Sequence, residues 1–180
     1  MIRRNVCENI KNFIWNNLPK GLDKLEISMA TIPKIHFNEY IESLNTVAIN
    51  IRKELNIKWI DISSDIFKEL VRSYQHVEDI ISFEGCKFSF KQTLIWEDGL
   101  NNFQVKKLEF NHITITEDEE DESNIFLNSL NNLMKCEKVK IKLDTLEIKN
   151  CNLNLKQKAY IEKLKREELK IIFDSNDSYL

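Results

Sequence analysis

The chain has few glycines and prolines. Among its 180 residues are three glycines, Gly21, Gly85 and Gly99, and two prolines, Pro19 and Pro33. Loops that cradle phosphates need clustered glycines, because the backbone N–H groups must approach the ligand closely. These glycines are isolated from one another, so the two glycine-loop nucleotide motifs are excluded, although other nucleotide sites are not.

Clustered metal ligands are also missing from the sequence. The four cysteines form no CxxC pair, and the three histidines are not spaced from them as in a zinc finger. We therefore predict no metal and no cofactor. The N-terminus lacks a continuous apolar signal core, and no apolar run approaches the length of a membrane span. We expect an intracellular, cytoplasmic protein with reduced thiols.

Neither sign of charge dominates the composition. The formal net charge is −3, with 31% charged and 42% hydrophobic residues, which is ordinary for a globular protein. Such a balance offers a nucleic-acid partner no electrostatic support, so none is expected. A chain of this length fits a single domain, residues 1–180. No nucleophile, base and acid arrangement has a recognisable local signature, and we expect no enzyme.

Five segments follow a pattern of apolar residues at offsets 0, 3, 5, 8 and 10, except that Asp65 and Glu78 each replace one apolar residue in the second and third segments. The clearest is LDTLEIKNCNL, residues 143–153, and the others start at positions 22, 57, 78 and 105. Within each segment apolar and polar residues alternate, which predicts a strand with one buried face. Further strands are predicted at 47–51, 139–142 and 169–173.

Helical spacing of apolar residues predicts helices between these strands. The predicted helices cover residues 2–18, 36–45, 64–76, 126–133 and 154–167, with a short one at 93–96. Ser64 and Ser123 are the expected N-caps of two of them. The acidic run Glu117–Glu122 is expected to be a solvated loop, because like charges repel and cannot be buried unpaired.

Strands that alternate with helices predict an α/β fold with a parallel sheet. A doubly wound sheet is covered on both faces, so its strands read as nearly continuous apolar runs. Here they alternate, as in L-E-I, L-E-F and I-D-I. The alternation favours helices on one side only, in a curved solenoid, with a non-repeating α/β layer as the alternative.

The segments resemble the leucine-rich repeat family in its irregular, ribonuclease-inhibitor-like form. The resemblance rests on LDKLEISMATI, EDIISFEGCKF, VKKLEFNHITI and LDTLEIKNCNL, with IKWIDISSDIF as a fifth copy. Their starts are 35, 21, 27 and 38 residues apart, and the family commonly repeats every 20–29 or so. The resemblance implies an irregular solenoid, with a parallel sheet on one face and helices on the other. It would contain a capping helix at 1–20, about five to seven repeats over 21–175 and a frayed tail at 176–180.

In such a repeat, the residue between two core-facing strand positions faces the open concave surface. Those middle positions hold Glu26, Asp61, Ser82, Glu109 and Glu147, which predicts a discontinuous acidic column. Flanking lysines, Lys24, Lys107 and Lys149, partly balance it. The candidate partner-binding residues are Glu26, Asp61, Ser82, Glu84, Glu109, Asn111, Glu147 and Lys149.

What the resemblance implies is a scaffold or recognition module that binds a protein partner, a basic or mixed-charge segment, on the concave face. The same charges can also belong to an ordinary solvated sheet face. The alternative function is a small α/β enzyme that uses strand-end carboxylates, which requires a pocket and shifted pKa values. Cys86 and Cys151 are expected to be buried structural thiols. A metal cluster of these two with His112 has no support from their spacing.

Overall fold

The computed structural model describes residues 21–28, 51–96, 100–116, 124–151, 153–164 and 169–173. Several predicted features lie outside these ranges. They are the helices at 2–18 and 36–45, most of the strand at 47–51, the cap Ser123, the acidic run at 117–122 and the tail at 176–180.

The described residues form nine strands and four helices. The strands are β1 (Leu22–Ser28), β2 (Ile51–Lys58), β3 (Asp61–Ser63), β4 (Ile80–Glu84), β5 (Lys87–Ser89), β6 (Lys107–Asn111), β7 (Thr114–Thr116), β8 (Thr145–Lys149) and β9 (Lys170–Phe173). The helices are α1 (Ser64–Ser73), α2 (Ile125–Lys135), α3 (Glu137–Lys142) and α4 (Leu155–Lys163). None of these four helices is long and apolar enough to cross a membrane.

The strands form two parallel sheets. The larger has six strands in the order β1-β2-β4-β6-β8-β9, and the smaller has three in the order β3-β5-β7. Every neighbouring pair is parallel. Within each sheet the spatial order follows the chain order, so each strand pairs with the strands before and after it in that sheet. The predicted mixed α/β class with a parallel sheet is confirmed.

One face of the larger sheet builds the core. In β2, Leu55 and Ile57 are buried, and the alternate residues Glu54, Asn56 and Lys58 are partly exposed. The same alternation runs through β4 and β6, and the buried side chains join those of α1 and α2 in one cluster. Burial of alternate side chains is what fixes the register, because a slip by one residue would exchange the two faces.

Sharp corners follow β2, β4, β6 and β8, and each contains one residue in the left-handed region. These residues are Trp59, Gly85, His112 and Asn150, with φ of +57°, +62°, +52° and +53°. Backbone hydrogen bonds connect the first three corners to the neighbouring strand end. The Trp59 N–H donates to Glu84 O (2.9 Å), Gly85 to Asn111 O (2.9 Å) and His112 to Lys149 O (3.0 Å).

Substituting alanine for Gly85 tests this corner geometry. The new Cβ would overlap the six-membered ring of Trp59, and φ is +62°. Left-handed backbone alone costs an L-residue roughly 1–2 kcal/mol, so we expect a larger loss of unfolding free energy here. Urea denaturation followed by circular dichroism measures the loss.

The matched control for Gly85→Ala is Gly21→Ala. Gly21 also has a positive φ, +79°, but a Cβ there meets the nearest atom, Nη2 of Arg52, at an ordinary 3.5 Å. The difference in unfolding free energy between the two variants isolates the cost of displacing the Trp59 ring. Equal losses would mean that the ring moves aside without cost.

The structure corrects the second of the five repeat segments. Strand β2 brings Leu55, Asn56 and Ile57 into register with the L-E-I of β1, five residues earlier than the frame starting at Ile57 predicts. Asp61 starts β3 and pairs with Lys87 in the smaller sheet. The frame was ambiguous because alternation resumes at Ile60 after the corner at Trp59, so both placements bury isoleucines.

The prediction of a strand at 139–142 is wrong, because this segment lies in helix α3. The Lys140 N–H donates to Cys136 O (2.9 Å) and the Leu143 N–H to Val139 O (2.9 Å). Val139 alone points into the core. Glu137 in the first turn and lysines in the last also complement the helix dipole.

The short helix predicted at 93–96 is also absent, since residues 91–96 form no regular element. Side chains of helix α2 instead form the hydrogen bonds of the Leu94 backbone. The Leu94 N–H donates to Ser129 Oγ (2.8 Å), and Asn132 Nδ2 donates to Leu94 O (3.0 Å). With these backbone groups satisfied from outside, the segment gains little from a helical turn of its own.

The predicted helices at 64–76, 126–133 and 154–167 and the last strand are confirmed with shifted ends. Helix α1 begins at Ser64, but its cap is Ser63, whose side chain accepts from the Ile66 N–H (3.3 Å). Helix α4 begins after Asn154, which forms a reciprocal capping box with Gln157. Strand β9 occupies the predicted position at the end of the described chain.

Candidate functional site

The side chains opposite the core form what we call the polar face of the larger sheet. It consists of three rows that run across the strands. The first row is Lys24, Glu54, Ile80, Lys107, Thr145 and Lys170; the middle row is Glu26, Asn56, Ser82, Glu109, Glu147 and Ile172; the third row is Ser28, Lys58, Glu84, Asn111 and Lys149. Seven of the eight predicted partner-binding residues belong to these rows.

Asp61 is the exception, because its strand belongs to the smaller sheet. Its predicted place in the middle row is taken by Asn56, which pairs with Glu26 on one side and Ser82 on the other. The predicted acidic column therefore contains three carboxylates, and two uncharged residues interrupt it. The signal was available in the sequence, since L-N-I at 55–57 matches the L-E-I of the other strands.

The charges of the polar face balance. Its lysines are Lys24, Lys58, Lys107, Lys149 and Lys170, and its glutamates are Glu26, Glu54, Glu84, Glu109 and Glu147. Five positive charges thus meet five negative charges. The sequence predicted only partial balance because it left out Lys58 and Lys170, while the shifted frame of β2 counted Asp61 in place of Glu54.

One group of ion pairs, the Lys58 cluster, joins strands β1, β2 and β4. The Lys58 Nζ contacts Oε2 of Glu26 (3.1 Å) and Oε2 of Glu84 (3.0 Å). Hydrogen bonds to Glu84 and Glu26 raise the pKa of Lys58. The glutamate side chains retain 51% and 37% exposure, so a partner can still reach their oxygens. An exposed Lys24–Glu54 pair (3.0 Å) extends the group along the first row.

A second group, the Glu147 cluster, joins β6 and β8. Glu147 forms ion pairs with Lys107 and Lys149, and Lys107 also contacts Oε2 of Glu109 (2.7 Å). Glu147 is only 3% exposed. Burial by itself would raise the pKa of this carboxyl, but hydrogen bonds from the two lysines and their charges outweigh it and lower the pKa. Glu147 is therefore held ionised in the folded state.

Uncharged residues lie between the two clusters along the middle row. Ser82 Oγ donates to Asn56 Oδ1 (2.5 Å), and Asn150 Nδ2 donates to Asn111 Oδ1 (2.9 Å) at the border of the third row. The polar face thus has a charged group at each side and a hydrogen-bonding strip between them. This arrangement can recognise a segment of mixed charge, because each group offers both signs.

The thiols that follow two corners are buried or partly buried, as predicted. Cys86 Sγ donates to Ile57 O (3.4 Å) and Cys151 Sγ to Lys149 O (3.0 Å). Burial raises the pKa of each thiol to about 11. Neither is a thiolate at neutral pH, so neither is activated as a nucleophile. Among the described residues no three His, Cys, Asp or Glu side chains converge as a metal site.

A shallow open depression of about 380 Å³ lies at the amino ends of β4, β6 and β8. Its lining residues are Glu78, Gln104, Lys106, Ile141, Lys142 and Asp144. A hydrogen bond to Asp79 (2.9 Å) raises the pKa of Lys106, which favours its protonated form. A general base at neutral pH needs the opposite shift. The expectation that the chain is not an enzyme stays a prediction.

No family model matches the sequence, and no curated protein matches it significantly.

Proposed function

We propose that the chain is an irregular leucine-rich-repeat-like solenoid, and that it binds a protein partner of mixed charge on the polar face. In this proposal it is a recognition module or scaffold rather than an enzyme. The polar face would be the concave surface of the solenoid. The observation that carries the proposal is an all-parallel sheet with one charged, partly exposed face.

Parallel sheets normally have both faces covered by helices and are apolar on both. Here Lys24 and Glu26 in the first strand have side-chain exposures of 58% and 51%. Lys24 and Glu26 belong to the polar face. Solenoids are the parallel folds in which such a face is used for binding.

The spacing of the corners supports the repeat. Trp59, Gly85, His112 and Asn150 are 26, 27 and 38 residues apart, and the first two intervals match a repeat of roughly 20–29 residues. The long third interval contains two helices, α2 and α3, between its strands. An inserted helix is the usual way in which an irregular repeat lengthens without disturbing the register of its strands.

The balance of charge supports a mixed-charge partner over a purely basic one. Every glutamate of the polar face has a lysine within 3.1 Å or in direct contact. A purely basic segment would have to displace these lysines before it could reach the carboxylates. A segment that carries both signs can exchange one pairing for another, and complementary charges of both kinds fix its register.

The test reverses two exposed charges of the polar face, Glu26→Lys with Glu54→Lys. Both residues form exposed ion pairs, which contribute about 0–1 kcal/mol each, so the fold should survive. In affinity purification from an extract of the source cells, we expect the double variant to lose at least one protein that the parent chain retains.

The matched control is Glu137→Lys with Glu162→Lys, which changes the charge equally at two exposed helical positions. Circular dichroism confirms folding for all three chains. If the polar-face variant and the control retain the same proteins as the parent, the polar face is not the binding surface.

A further inference from the structure

Trp59 is an unusual residue for its position. At the equivalent corners the left-handed residues are Gly85, His112 and Asn150, which are types that tolerate positive φ. A tryptophan with φ of +57° is disfavoured, because its Cβ crowds the backbone. The three equivalent corners show that the fold does not need an aromatic residue at this position. Strained residues of this kind concentrate at functional sites.

The Trp59 ring has one covered side and one open side. Its six-membered ring lies against Gly85, so closely that any side chain at that position would overlap it. Yet the residue remains 60% exposed. The absence of a side chain at Gly85 lets the ring lie flat, and the opposite π face is presented to solvent.

The residues next to this corner, along the chain and across the strands, carry more carboxylates than amines. Glu84 immediately precedes Gly85, Asp61 follows two residues after Trp59, and Glu26 shares Lys58 with Glu84. Against these three carboxylates stand two amines, Lys58 and Lys87. An exposed indole face attracts cations through its quadrupole, and neighbouring carboxylates strengthen that preference.

Among cations, this arrangement favours a guanidinium. A planar guanidinium can stack on the indole and at the same time donate in a fork to a carboxylate. An ammonium is a compact point charge without a planar face to stack or a fork to donate with, and Lys58 already supplies such a charge between Glu26 and Glu84. Phosphates and acidic peptides would meet the carboxylates and are disfavoured.

We propose that Trp59 and Glu84 form the docking point for an arginine side chain of the partner protein. This proposal rests on the proposed function, since it names the anchor at one rim of the polar face. Tryptophan and arginine are both enriched among the residues that dominate interface energies.

The experiment uses two synthetic peptides of equal length, net charge and mixed charge pattern, two Arg-Ser-Glu-Ser repeats and two Lys-Ser-Glu-Ser repeats, each capped at both ends. Calorimetric titration measures their affinities for the full chain at low salt. Nuclear magnetic resonance of the indole N–H groups reports the site, with the Trp59 signal assigned from Trp59→Phe. We expect tighter binding of the arginine peptide and a shift of the Trp59 signal.

The decisive variant is Trp59→Asn, which installs the residue found at the corner of Asn150. Loss of the stacked ring should weaken the arginine peptide about three- to thirtyfold, the range expected for a cation–π contact. Trp59→Phe should lose less, because it keeps a π face. The control is Leu155→Ala, which removes another exposed apolar side chain (83% exposed) and should leave the affinity unchanged.

Three outcomes would overturn the proposal: equal affinities for both peptides, an unmoved Trp59 signal, or an unaffected Trp59→Asn variant. Sedimentation that shows Trp59-dependent self-association without peptide competition would assign the ring to a second copy of the chain instead. The proposed function is judged separately, because the charge reversals at Glu26 and Glu54 can change the protein partners whether or not the arginine peptide binds.

Discussion

Replacing Phe67 with alanine is expected to lower the unfolding free energy by about 3–5 kcal/mol, the range for truncation of a large buried aromatic residue. Phe67 is fully buried and belongs to helix α1. Its ring centroid lies within 6.3 Å of six other aromatic rings, those of Phe83, Phe88, Phe90, Trp96, Phe110 and Phe126.

The reason for so large an effect is the position of Phe67 between elements. Its partners come from both sheets, from helix α2 and from the segment after β5, so one truncation leaves a cavity that several elements share. Phe83 and Phe110 are stacked at 5.2 Å with an interplanar angle of 7°, and they have little freedom to collapse into the gap. The loss is a large part of the roughly 5–15 kcal/mol that stabilises a typical domain.

Urea denaturation followed by circular dichroism measures the effect. Phe67→Leu should lose less, because it keeps most of the buried volume. Ile95→Ala, which truncates a side chain that is 57% exposed, should lose less than about 1 kcal/mol. A loss of similar size for Phe67→Ala and Ile95→Ala would show that the aromatic cluster is not the centre of the stability.

The strands were predictable because alternation is a local signal. In β6 and β8 the patterns L-E-F and L-E-I place one side chain between two buried ones, and the structure has those residues on opposite faces. Segment 139–142 also alternates, yet it is helical. These four residues belong to helix α3, which begins at Glu137 shortly after α2 ends. The alternation is too short to specify a strand, and backbone hydrogen bonds along the chain favour the helix.

The composition of the polar face was only partly predictable. The rows depend on which residues are neighbours across strands. The predicted frame of β2 was displaced by five residues, so it put Asp61 in the place of Asn56 and left Lys58 out of the rows. Local patterns do not contain that register. The left-handed corner at Trp59 also escaped prediction, because the residue types that usually indicate such corners are glycine and asparagine. The sequence signal that could have indicated this corner is the alignment of Trp59 with Gly85 and Asn150, two residue types common at positive φ.

Replacing both lysines of the Glu147 cluster, in the variant Lys107→Met with Lys149→Met, should cost about 3–5 kcal/mol at pH 7. The Glu147 side chain is 4% exposed, and these two lysines are the groups that neutralise it. Without them the carboxylate remains buried and unpaired, which is among the most unfavourable changes in a protein interior. Thermal and urea denaturation measure the loss.

Two controls separate the buried charge from the loss of the lysines themselves. Adding Glu147→Gln to the double variant removes the unpaired charge, so this triple variant should recover a large part of the stability. Lys24→Met breaks the exposed pair with Glu54 and should cost no more than about 1 kcal/mol. A triple variant that is less stable than the double variant would contradict the assignment.

The pH dependence of the stability difference between the parent chain and the double variant tests the same prediction independently. In the parent chain the lysines lower the pKa of Glu147 below its ordinary 4.5, so its contribution is present above the unfolded pKa and is lost as pH falls through the folded pKa. In the double variant, burial and the neighbouring carboxylate of Glu109 remain, and both raise the pKa of Glu147, so the carboxyl destabilises the fold most when it is ionised. The stability difference between the two chains should therefore shrink as the pH falls from 7 towards 4. A difference that stays constant over this range would mean that Glu147 is not the buried charge responsible for the loss.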